Sequence, residues 1–338
     1  MDQIVKTEVE PASQDWFYTD APRNTLQHAC GKAILVGEHA VVYGADAVAM
    51  PVKSQRIQFC LDPKLKSQDQ SSQLILNGKR APKEIESVIN DAFVALGLKP
   101  FPIVLEGQSN LPIGAGLGSS ACLCVATLRS IADSLGMELD RKQLANLAND
   151  LEKRFHGNPS GLDTAVVAYE QVVAFNRNSP IKTIGIDDIQ IKRNGKLKTS
   201  KWRFVLIDSK ERARTKDMIT IAEPYFTGKN QTQVIEDFND IALEATHGLS
   251  HGNPSMVANA MTRSSKHLSA AGVQTPKLDE IIADCLNAGC LAAKPTGAGG
   301  GGVVLALLDA ASANASISDL MSTYGYDHVL DISLPVSN

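Results

Sequence analysis

The chain lacks what several protein classes require. None of its six cysteines (Cys30, Cys60, Cys122, Cys124, Cys285, Cys290) forms a CxxC pair, and at 338 residues it can bury a core without a disulfide framework. It has no run approaching the roughly 20 apolar residues that a membrane helix needs. Its opening stretch, MDQIVKTEVEPASQDW, has no basic segment leading into an apolar one and does not read as a signal peptide. Positive charge is not in excess: 33 Lys+Arg against 37 Asp+Glu leave a net of -4, which gives no electrostatic reason to expect nucleic acid or a membrane surface as partner. Repeats and low-complexity tracts are also missing. What is present, 43% hydrophobic and 21% charged residues, excludes a disordered chain, collagen or a coiled-coil rod. These observations lead us to expect one large or two ordinary domains in a reducing, cytoplasmic setting.

Hydrophobic spacing orders the chain. Residues 1–20 are polar and aperiodic and read as a loose extension. Short apolar runs at Ala33–Val36, Ile57–Leu61, Leu74–Leu76 and Ile103–Leu105 predict strands, followed by another at Val172–Phe175. Helical spacing predicts helices over 85–96, over 121–135 and from Arg141 to Phe155, with Gly97 and Gly136 ending the first two. Residues 177–201 are weakly patterned, which puts a domain boundary near their end: 21–198, then 199–338. Beyond it we expect strands at 204–207, 303–308 and 329–334, with helices through 218–222, 234–245, 256–268, 278–286 and 317–321. The irregular alternation, with hairpin-like groups, favours α+β over a purely parallel sheet.

Three glycine-rich segments suggest chemistry. The strongest is Leu111-Pro-Ile-Gly-Ala-Gly-Leu-Gly-Ser-Ser-Ala-Cys122, which runs directly into a helix. Gly114, Gly116 and Gly118 let the backbone turn with positive φ, while Ser119 and Ser120 fall where the first helical N–H groups are unpaired and the helix dipole favours phosphate. It is not a Walker A loop, because the lysine is missing. The second segment, Gly31-Lys32-Ala-Ile-Leu-Val-Gly-Glu38-His39, offers a lysine able to neutralise a phosphate and two groups able to hydrogen-bond a hydroxylated substrate. A strand end with solvated charges is the plain alternative. The third, Lys294-Pro-Thr296-Gly-Ala-Gly-Gly-Gly-Gly302, suits a loop that backs onto a ligand or another loop. A fourth segment, Glu152-Lys-Arg-Phe-His156-Gly-Asn-Pro-Ser160-Gly-Leu-Asp163, offers two carboxylates, one able to hold Mg²⁺ and one able to accept a proton from a hydroxyl, with solvation or capping as the plain alternative.

Taken in order, these segments resemble the three motifs of the GHMP kinase family, from about residue 28 to the end. Within it they are most similar to the mevalonate kinase branch. The resemblance implies a two-domain α+β fold, N-terminal ribosomal protein S5 domain 2-like and C-terminal ferredoxin-like, with the active site in the cleft between domains. It implies transfer of phosphate from MgATP to the primary hydroxyl of (R)-mevalonate in isoprenoid precursor synthesis, by a monomer or a homodimer. A phosphomevalonate or sugar kinase, or an inactive ligand-sensing relative, stays open as an alternative.

Carried over by position, Asp163 resembles the catalytic aspartate and Lys32 the lysine beside it. Ser120 and Glu152 resemble the Mg²⁺ ligands. Pro112, Gly114, Ala115, Gly116, Leu117, Gly118, Ser119 and Ser120 form the nucleotide loop. Lys32, Glu38, His39, Asp163, Thr215, Thr296, Gly297 and Ala298 border the substrate. The family's first motif reads Pro-Gly-Lys where this chain has Cys30-Gly31-Lys32. In Arg212-Ala-Arg214-Thr215, which arginine corresponds to the family's is left open.

Overall fold

The computed structural model describes residues 26–66, 71–193 and 196–334, so the expected extension over 1–20 lies outside the described residues. In the first half the elements are β1 (Leu26–Val36), β2 (Ala47–Lys66), β3 (Gln73–Leu76), β4 (Lys79–Arg80), α1 (Lys83–Ala95), β5 (Ile103–Ser109), α2 (Ser119–Ser134), α3 (Arg141–His156), α4 (Leu162–Tyr169), β6 (Val173–Phe175) and β7 (Lys182–Thr183). A hairpin of β8 (Ile189–Arg193) and β9 (Lys196–Ser200) leads to the second half. There the chain forms β10 (Trp202–Asp208), α5 (Thr215–Thr227), α6 (Gln231–Ser250), α7 (Pro254–Ala270), α8 (Pro276–Asn287), β11 (Cys290–Thr296), β12 (Val303–Leu308), α9 (Ala313–Tyr324) and β13 (Val329–Leu334).

The first half is a seven-stranded sheet in the order β4-β3-β5-β2-β6-β7, with β1 also paired to β2. All its pairings are antiparallel except β3 with β5, which α1 connects. The 20-residue β2 holds the sheet together by pairing with β1, β5 and β6 along different parts of its length. The second half is an antiparallel sheet in the order β11-β12-β10-β13. This mixture of sheets and helices is the α+β fold expected.

Helix α2 is buried almost throughout, from Ala121 to Leu128, and packs on β1, β2 and α3. Its serine-bearing start is therefore held by the core and not by a loop. Helix α3 is fixed at its own start by a capping box, Gln143 N to Asp140 Oδ1 at 2.7 Å and Asp140 N to Gln143 Oε1 at 3.0 Å. One apolar cluster runs through both halves: Val36 and Ala40 belong to it, as do Phe226 and Phe238. At the seam Tyr43 stacks on Phe226 with ring centroids 5.4 Å apart.

Four expectations need correction. Lys32 lies inside β1, not at its start, because the pairing with β2 begins already at Leu26. Asp163 lies in the first turn of α4, a helix that the apolar spacing does not predict. That helix escaped the periodicity because Leu162, Thr164, Ala165, Val166, Val167 and Ala168 bury it on every side. Residues 294–296 belong to a strand, β11, and the glycine loop starts only at Gly297; Pro295 is tolerated there because β11 is an edge strand. The weakly patterned 177–201 carries β7 and the β8–β9 hairpin.

Candidate active site

Lys32 reaches the site from mid-β1. Its backbone N–H donates to the Leu117 carbonyl at 3.0 Å, which ties the strand to the glycine loop. A Cβ at residue 118 would come within 2.9 Å of Lys32 Cγ, so Gly118 is what lets the lysine stem pass. The ammonium then lies 3.1 Å from Asp163 Oδ2. The lysine is buried and the aspartate partly open: the two side chains are 3% and 29% exposed.

Gly118, in the left-handed conformation, is the N-cap of α2, and no side chain caps the helix. The first-turn amides are left to water or a ligand, at the positive end of a 16-residue dipole. Ser120 Oγ donates to Glu152 Oε1 at 2.7 Å and lies 3.0 Å from His156 Nε2. Burial first, and the Asp163 carboxylate second, push Glu152 up to about 7. Burial also pulls the His156 imidazole below its ordinary value. Two carboxylates, a hydroxyl and the Lys32 ammonium thus line one cavity, and at Glu152 the Asp163 charge outweighs that of Lys32.

The third glycine segment closes the site from the second half. A Cβ at residue 297 would fall 2.8 Å from the Cα of Gly116, and one at residue 116 would fall 2.6 Å from the Thr296 carbonyl, so the two loops pack backbone to backbone. Thr296 Oγ1 accepts from Ile34 N at 2.8 Å and donates to Ile34 O at 3.2 Å. His39 Nε2 donates to Ala298 O at 2.9 Å. Burial lowers the pKa of that imidazole, which suits a neutral ring holding a carbonyl.

These groups surround a cavity of about 570 Å³. Every residue expected at the site lines it except Pro112 and Leu117, and Leu117 turns its side chain into the core. Glu38 is buried, not solvated at a strand end. Of the two arginines left open, Arg214 is exposed and pairs with Asp217. Arg212 bonds Asp208 through both terminal nitrogens, each at 2.8 Å, and its Nε donates to the Ile113 carbonyl at 3.2 Å, against the glycine loop. Burial works against the Asp208 carboxylate, but the Arg212 guanidinium outweighs it and holds the pKa below the usual range. Two residues escaped the sequence reading, His156 and Lys294. The signal for Lys294 was present: a lysine in the otherwise apolar run Cys290-Leu-Ala-Ala-Lys-Pro.

An anion-ready helix start, a lysine–aspartate pair and a glycine-walled cavity between two sheets define a kinase-type site for small molecules. The model of the GHMP kinase N-terminal domain matches residues 83–171, and that of the GHMP kinase C-terminal domain matches 243–327, together just over half of the chain. The chain belongs to the GHMP kinase family. A mevalonate kinase of Pyrococcus horikoshii is 28% identical over 303 residues, 83% of this chain and 88% of the relative. The crystal structure of the Methanococcus jannaschii mevalonate kinase superposes with a TM-score of 0.73 at 22% identity, over 92% of this chain and 98% of that one. That of the L. major mevalonate kinase in complex with R-mevalonate gives 0.70 at 19% identity, over 93% and 96%. Among the described residues no helix is long and apolar enough to cross a membrane.

Proposed function

We propose that this chain transfers the γ-phosphoryl group of ATP to the primary hydroxyl of (R)-mevalonate, giving 5-phosphomevalonate for isoprenoid precursor synthesis. The observation that carries the chemistry is the Lys32–Asp163 pair, 3.1 Å apart on the wall of the cavity that also receives the start of α2. The choice of alcohol rests on relatives named mevalonate kinase, matched over most of their length. Phosphoryl transfer needs mainly positioning and charge neutralisation. The α2 amides and the glycine loop hold the nucleotide phosphates. Asp163 orients the attacking hydroxyl and takes its proton, and Lys32 stabilises the charge that develops on the oxygen.

Among the described residues no three His, Cys, Asp or Glu side chains gather into a metal-binding group. Mg²⁺ takes few protein oxygens and completes its shell with phosphate and water, and the Ser120 and Glu152 oxygens, 2.7 Å apart, fit that demand. Ser120 and Glu152 are the residues that would hold it, and a divalent cation answers the excess of the Asp163 charge at Glu152. When bound, Mg²⁺ offsets charge on the β- and γ-phosphates. We place the division between the units, 21–198 and 199–338, in the β8–β9 hairpin, and the protein in the cytoplasm, a setting that its free cysteines suit.

A substrate panel with coupled ADP detection tests the reading: (R)-mevalonate, phosphomevalonate, galactose and homoserine, each with MgATP. ADP release that depends on (R)-mevalonate is the expected result. Turnover of another alcohol with none of mevalonate would overturn the substrate assignment.

A further inference from the structure

A second lysine–carboxylate pair, its carboxylate at the cavity wall and its lysine behind it, has no task in the phosphoryl transfer just described. Lys294 on β11 donates to Glu38 Oε1 across 256 residues of sequence, and to the Pro295 carbonyl at 2.6 Å. Both side chains are shut off from solvent, and of the two only Glu38 lines the cavity. The other carboxylate oxygen, Glu38 Oε2, is buried and has no hydrogen-bond partner among the described residues. A buried acceptor left so is costly unless a donor meets it, and the cavity is where one can arrive. Lys32 does not serve: its ammonium lies against Asp163, and no bond from it reaches Glu38 Oε2.

We propose that Lys294 is a positioning residue for substrate recognition. By gripping Oε1 from the second half of the chain, it sets the Glu38 carboxylate so that Oε2 accepts a hydrogen bond from a substrate hydroxyl other than the one phosphorylated. A hydroxyl suits this place and a substrate carboxylate does not, because Glu38 would repel the latter. The pair lies on the same seam as the Thr296–Ile34 and His39–Ala298 contacts, so this acceptor is set only when the two halves are docked. The inference rests on the cavity being the alcohol site of the proposed kinase.

The test is a double-mutant cycle with Lys294→Met, Glu38→Gln and the double variant, read as KM for the alcohol, KM for ATP and kcat, with thermal melts to certify folding. Lys294→Met is expected to raise the alcohol KM at least about tenfold, with kcat within about threefold and the ATP KM unmoved. In the Glu38→Gln background the same substitution is expected to leave the alcohol KM where Glu38→Gln alone puts it. A purely structural lysine would lower the melting temperature and kcat in both backgrounds without this split. If Lys294→Met does not fold, the double variant is compared with the unmodified protein, because removing both charges of a buried pair is tolerated far better than removing one; an alcohol KM unchanged in the folded double variant overturns the proposal. An unchanged alcohol KM in folded Lys294→Met, or a change of equal size in the Glu38→Gln background, overturns the proposal. The cycle is run on whichever alcohol the substrate panel identifies, so the inference and the substrate assignment fail separately.

Discussion

The cavity has one lysine–carboxylate pair on its wall, Lys32–Asp163, and a second, Lys294–Glu38, whose lysine lies behind that wall. In the first the aspartate is 29% exposed; in the second neither partner exceeds 1%. Burial pushes Glu38 up and Lys294 down, while each ion draws the other back toward charge. A pair sealed in this way resists any change of position, because separating it strands a charge in the interior. In the first pair the aspartate is partly open to the cavity and can turn to a substrate oxygen, while Lys32 stays buried beside it. The one is suited to chemistry and the other to alignment, and the same two residue types serve both ends because their surroundings differ.

That contrast can be broken experimentally. The largest effect is expected at the open pair: Asp163→Ala should lower kcat by about 10³-fold while ATP binding persists, measured by steady-state kinetics and titration calorimetry. Near-normal kcat in that variant removes Asp163 from the proton-accepting role. Next comes Glu152→Gln, expected to cost about 10²-fold in kcat and to raise the Mg²⁺ concentration needed for half-maximal rate. An unchanged Mg²⁺ dependence would detach Glu152 from the metal.

At the sealed seam the expected losses are of stability. Gly297→Ala, at φ 90° and against the Gly116 backbone, should cost about 1–3 kcal/mol in a denaturant melt. No loss there would mean that the two loops are not packed as described. The smallest effect concerns pH. The folded state holds His39 below its ordinary 6.5, so the unfolded chain takes up the proton first as pH falls. Stability is therefore full above about 6.5 and declines below it, by about 1.4 kcal/mol for each unit separating the two pKa values, levelling off below the folded value. His39→Gln should flatten that part of the stability curve.

Much of the site was legible because its parts are local. Gly114, Gly116 and Gly118 precede an amphipathic run with Ser119 and Ser120 at its head, and that order suffices to expect an anion site at a helix start. Helices α1, α3, α6 and α7 show their period because each buries only one face. Helix α4 does not, since a helix buried all round has no period to show, so nothing in the sequence pattern places Asp163 on a helix. Strand β11 was hidden by Pro295 and the glycines after it. Lys294 stands in sequence at the edge of a glycine-rich loop, and nothing near it marks its partner, Glu38.

Local order along the chain determined where helices begin, where a phosphate can be held and which residue types are available to do chemistry. Those are properties of short segments, set by backbone conformation and side-chain period. Which lysine faces the cavity and which is sealed behind it was decided only when the two sheets docked. Charge, burial and partner are set there by atoms hundreds of residues away, and the energy of an ion pair depends on the medium around it far more than on the identity of its two ends.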